Sequence, residues 1–90
     1  MPRVAISLSI PMYVIYADPS DAPGRLVVRE MRVIAGRVLA SVEPAYTGGS
    51  LEIARSVVPD GWINLGRRPD DEPQIKEVWT TREAARLLAG

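Results

Sequence analysis

Residues 25–42 read RLVVREMRVIAGRVLASV, two β-rich runs on either side of Ala35-Gly36. Val27, Met31 and Val33 fall on one face of the first run, and Leu26 and Val28 on the other, the period of two that a strand imposes. Arg29, Glu30 and Arg32 keep either face from being wholly apolar, as in an antiparallel sheet. A two-residue turn at Ala35-Gly36 sets Val33 opposite Val38 and Arg32 opposite Leu39. The expectation is a β-hairpin within an antiparallel sheet.

Upstream, residues 3–10 alternate Val4, Ile6, Leu8 and Ile10 with Ala5, Ser7 and Ser9, again a strand pattern. Pro11 cannot donate to a ladder and marks a bulge, an edge or a break. Residues 12–17 resume with β-formers. Met12 is a second candidate start, which makes residues 1–11 an N-terminal extension strand. A secretory signal needs a continuous apolar run, and Ser7, Ser9 and Pro11 interrupt this one. Residues 18–24, DPSDAPG, are dense turn chemistry.

Downstream, Glu43-Pro44 ends the second hairpin arm, and Thr47-Gly48-Gly49 reads as a flexible joint. Ser50 is placed to cap a helix whose apolar side is Leu51, Ala54, Val57 and Val58, with Glu52, Arg55 and Ser56 on the other side. Pro59 and Gly61 stop it. Residues 62–73 read as a loop, and residues 74–79 as a last strand with Ile75, Val78 and Trp79. A second helix spans Thr80 to Ala89, with Thr80 and Glu83 at capping-box spacing. The order β-β-β-α-β-α predicts one small α+β domain over residues 1–90: an antiparallel sheet of three to five strands with two short helices packed on one face.

The 90 residues include no His, no Cys and a single Lys, Lys76. Imidazole, thiol and amine chemistry are therefore closed or narrowed. The formal net charge is +0, which gives the whole chain no pull toward nucleic acid or an anionic membrane. Near-neutrality also does little to oppose self-association. No stretch approaches the ~18 apolar residues of a membrane helix. The absence of Cys suits the cytoplasm, and the Arg-, Ala-, Pro- and Gly-rich composition suits a GC-rich bacterial genome.

Paired carboxylates are the remaining acid–base option. Asp70, Asp71 and Glu72 are consecutive, and Arg67 and Arg68 beside them offset their charge, so the run reads as a solvated turn. No serine lies in a nucleophile elbow, and no His is present to activate one. Gly48-Gly49-Ser50 lacks the phosphate-loop lysine and reads as a cap after a joint. Among the aromatics, Tyr13 and Tyr16 point to opposite faces of their strand. Trp62, with Ile63, Leu65, Arg67 and Arg68, has the composition of a binding patch; its other role is to lid a small core.

Thr81-Arg82-Glu83-Ala84-Ala85-Arg86-Leu87-Leu88 is similar to the first helix of the MerR/excisionase helix-turn-helix family. That resemblance implies a turn and a recognition helix beyond it, and only Ala89 and Gly90 follow in this sequence. Asp21-Ala22-Pro23-Gly24 and Gly49-Ser50-Leu51-Glu52-Ile53-Ala54 resemble the hairpin-turn and Gly-led helix of HicB antitoxins, with a longer segment between them. No site residue is carried over from either family.

The functional expectation is a soluble, cytoplasmic, non-catalytic binding module without cofactor or metal. Its partner is another protein or itself, as a homodimer, with Trp62, Leu65, Arg67 and Arg68 as contacts. An alternative is a nucleic-acid or antitoxin-like regulator using Arg25, Arg29, Arg32 and Arg37 on the hairpin. Strand alternation puts Arg29 and Arg32 on opposite faces. A further alternative is a metal-dependent hydrolase using Asp70, Asp71 and Glu72.

Overall fold

A computed structural model describes residues 9–69 and 71–89. Among the described residues six strands form one antiparallel sheet, with two helices: β1 (Ser9–Ala17), β2 (Leu26–Ile34), β3 (Arg37–Ala40), β4 (Tyr46–Gly48), α1 (Leu51–Ser56), β5 (Ile63–Gly66), β6 (Ile75–Thr80) and α2 (Arg82–Ala89). The α+β class holds. The strand order is β3-β2-β1-β6-β5, and β4 pairs with β2 beyond the end of β3. Both β4 and β5 exceed the predicted order, because the glycine joint and the loop each contribute a short strand.

The hairpin forms in the predicted register, with Val33 opposite Val38 and Arg32 opposite Leu39. Ala35 and Gly36 both take positive φ, 50° and 77°, the signature of a turn whose twist matches its strands. Between β1 and β2, Gly24 follows Pro23 at φ 72°, and its N–H donates to Asp18 Oδ1 at 2.7 Å. Proline fixes one turn position, and glycine supplies the positive φ at the next.

β1 runs unbroken through Pro11. Pro11 lies opposite Arg32 on β2, one position past the end of β6, whose last pairing is Thr80 with Met12. Its missing N–H thus faces no strand among the described residues, while its C=O accepts the Thr80 hydroxyl at 2.7 Å. Ser9, Ile10 and Pro11 belong to this strand; the rest of the expected strand over residues 3–10, and of the extension over 1–11, lies outside the described residues.

Alternation gives the sheet two faces. The first carries Tyr13, Ile15, Leu26, Val28, Glu77 and Trp79, and α1 lies over it. Ile15, Val28 and Ala54 are fully buried there, flanked by Leu51 and Val57. Ser50 caps α1 as predicted, accepting the Ile53 N–H at 3.2 Å. The ring of Tyr46 folds over Gly48, where a Cβ would meet its phenol carbon at 2.6 Å, so β4 needs glycine at that position.

The second helix corrects two expectations. Its cap is Thr81, whose hydroxyl accepts the Ala84 N–H at 3.1 Å; Thr80 is the buried last residue of β6. Nor do both helices share one face. α2 packs beside β5, and its Leu88 lines a hollow on the second sheet face.

Candidate functional site

The second face carries Met12, Val14 and Tyr16 from β1, Val27, Arg29, Met31 and Val33 from β2, Val38 and Ala40 from β3, and Val78 from β6. Among the described residues no helix covers most of it, although Val14 and Val27 on it are buried. A hollow of about 310 Å³ has an apolar floor of Met12, Val14, Val33 and Val78, with Val38 and Leu88 as walls. Arg68 and Asp71 stand at its rim. A second hollow, of about 360 Å³, shares Tyr16 and Met31 with the first and continues it toward Asp21, Arg29 and Glu72. The face is thus a trough, apolar along one half and polar along the other. Burial, reinforced by the Glu72 charge, raises the pKa of the Tyr16 phenol between the halves.

The predicted contact patch is divided by this geometry. Trp62 sits on the α1 side, edge-on to Tyr13 with ring centroids 5.3 Å apart and planes at 77°. It lids the first face, as an aromatic in a small core does. Leu65 and Arg68 line the apolar trough on the other side. Leu65 reaches it because β5 bulges between Asn64 and Gly66, which leaves Leu65 as the extra residue. Arg67 is exposed and donates to the Asp71 C=O at 3.3 Å, and the Asp71 carboxylate accepts the Arg68 N–H at 2.8 Å.

The hairpin arginines do not form one stripe. Arg29 projects onto the trough face, where its guanidinium bonds Asp21 and the C=O groups of Ser41 and Val42. Arg32 projects to the opposite face and donates to the Ser9 hydroxyl at 3.0 Å. Arg37 is exposed at the start of β3. Of the acidic run, Asp70 lies outside the described residues, Asp71 is bound to the loop, and Glu72 borders the polar end of the trough. Among the described residues, no three acidic, His or Cys side chains gather as a metal site. No helix among them is long and apolar enough to cross a membrane.

Neither a family model, nor a curated protein, nor a solved structure matches this chain. The geometry of the site therefore carries its functional reading.

A second charged arrangement escaped the sequence reading. Arg55, placed by its helical position among outward residues, turns in to Glu77 on β6 and grips both carboxylate oxygens. Glu77 is 6% exposed and also accepts the Trp79 indole N–H at 3.0 Å. The Arg55 hydrogen bonds, opposed by burial and aided by Trp79, hold the Glu77 carboxyl below the usual carboxylate range. Both carboxylate oxygens of Glu77 accept hydrogen bonds, so the group clamps α1 to the sheet. Only the strand period at Glu77, which shares the core face with Trp79, hinted at it.

Proposed function

We propose that this protein is a non-catalytic binding module of the cytoplasm. It works by associating with polypeptide, its own copies first, through the trough face and the adjoining β3 edge. The observation that carries the proposal is the open hollow whose apolar floor runs from Met12 to Val78, half-buried except for the buried Val14, and which is bordered by a strand whose Val38 and Leu39 are 64% and 53% exposed. Apolar surface gathered in this way marks a contact site more often than singly scattered residues do. Leu65 and Arg68 enter as rim contacts, while Trp62 supports the site from the opposite face.

Sedimentation velocity from low micromolar to near-millimolar concentration tests this reading. The expected result is a mass that rises with concentration and falls again when the trough is charged by Met31→Asp or the β3 edge is interrupted by Val38→Pro. A chain that stays monomeric throughout, and whose tagged form retains no polypeptide at stoichiometric yield, sinks it. The hairpin-arginine alternative fares less well, because Arg29 and Arg32 bind within the fold on opposite faces.

A further inference from the structure

Among the described residues β3 is the outermost strand beside β2, and all four of its residues are exposed. The Ser41 N–H donates to the Glu30 C=O at 2.9 Å, in step with the β2–β3 register. Antiparallel alternation then turns the backbone of Arg37 and Leu39 toward β2, and that of Val38 and Ala40 outward. Of the usual guards against pairing the edge has its shortness and one charge, Arg37, but no Pro, no Lys and no bulge. It ends at Ala40, because the Arg29 guanidinium holds the next two C=O groups, those of Ser41 and Val42.

We propose that two copies of this chain pair antiparallel along β3, with Val38 opposite the partner's Ala40 and Leu39 opposite the partner's Leu39. The two sheets become one. This rests on the reading of the protein as a self-associating module and names the contact through which it associates.

Only residues whose backbones face outward can exchange hydrogen bonds, which leaves three registers: Val38 on Val38, Val38 on Ala40, or Ala40 on Ala40. In the proposed one, the Val38 N–H donates to the C=O of the partner's Ala40, and the two-fold axis repeats the bond. The Leu39 side chains meet at the axis as a close, non-hydrogen-bonded pair, covering apolar surface now in water. Arg37 faces the partner's Ser41. One strand further on the same face lies the partner's Glu30, about 10 Å away between Cα atoms and within the joint reach of the two side chains. Both are exposed, and among the described residues neither has an ion-pair partner within its own chain.

The other registers lose this match. Val38 on Val38 sets Arg37 against the partner's Leu39 with the partner's Arg32 behind it, like facing like. Ala40 on Ala40 needs the Val42 C=O in the ladder, and Arg29 already holds it.

Sedimentation equilibrium on the full chain tests the charges. Glu30→Arg and Arg37→Glu each weaken the dimer about tenfold, and the two together restore it. Val38→Pro removes an outward N–H that the fold does not use, so it abolishes the dimer while far-UV circular dichroism stays unchanged. The chain has no Cys, so Leu39→Cys gives a direct readout of register: mild oxidation cross-links it to itself, and Arg37→Cys does not cross-link. A dimer indifferent to Val38→Pro and to the charge swaps, but dissolved by Met31→Asp, overturns this pairing and leaves the module reading intact. A chain that never dimerises yet binds other polypeptide does the same. One that does neither removes both.

Discussion

Thr80 offers the sharpest test of how the sheet is closed. Its side chain is fully buried, and its hydroxyl donates to the Pro11 C=O at 2.7 Å. Thr80→Val keeps the volume and removes the donor. It forfeits one neutral hydrogen bond and leaves the Pro11 carbonyl unpaired, at a cost of about 1–3 kcal/mol. Thr80→Ser keeps the donor and loses one methyl, about 0.8 kcal/mol. The apolar replacement is therefore the worse of the two, although it fills the space better. With a urea slope of about 1 kcal/mol per M, the Thr80→Val midpoint falls by roughly 1–3 M. Trp62 and Trp79 report unfolding by fluorescence. Thr81→Ala supplies the contrast: it deletes the α2 cap, costs about 1 kcal/mol, and is rescued by Thr81→Asp. If Thr80→Val is as stable as the parent, or if Thr80 variants respond to cap chemistry and Thr81 variants do not, the placement of β6 and α2 is wrong.

Ala35 occupies a positive φ that L-residues avoid. Ala35→Asn is expected to stabilise the hairpin by about 1 kcal/mol, seen as a higher thermal midpoint. Gly48→Ala pushes the Tyr46 ring off β4 and costs about 1–3 kcal/mol; the double variant with Tyr46→Ala costs less than the sum of the singles, in a denaturation cycle. The Glu77 carboxyl is held low in the folded state by Arg55. Its contribution is therefore complete above the unfolded carboxylate value of about 4.3 and fades as the pH falls through the lowered folded value. Urea midpoints should drop on acidification below that point. Glu77→Gln should lie below the parent at neutral pH and converge with it in acid.

The features legible in the sequence were those set by neighbours in the chain. The period of two placed Val27, Met31 and Val33 on one face and Leu26 and Val28 on the other, and Ala35-Gly36 fixed the register opposite Val38. Ser50 and the side of α1 bearing Leu51 and Ala54 followed from local capping and helical spacing. The misreadings share a different cause: each depends on a partner far away in sequence. Tyr46 and Thr47 favour strands, but the run is cut short by Gly48 and Gly49 and pairs only because β2 presents a free ladder to it. β5 is four residues long and bulged, too short to show a period. Arg55 looks solvent-facing until Glu77 is brought beneath it. Trp62, Leu65 and Arg68 are close in sequence and have the composition of one patch, but the β5 strand and its bulge send Trp62 to one face and Leu65 and Arg68 to the other.

The central place of β1 carries a cost in time. Its neighbour β6 lies almost at the other end of the chain, and the bond between Thr80 and Pro11 spans 69 positions. During synthesis the β1–β2 hairpin is complete long before β6 emerges, so one flank of β1 waits with its amides and carbonyls open. Closing so long a loop slows folding, and the half-built sheet in the interval is the species most prone to stick to its siblings.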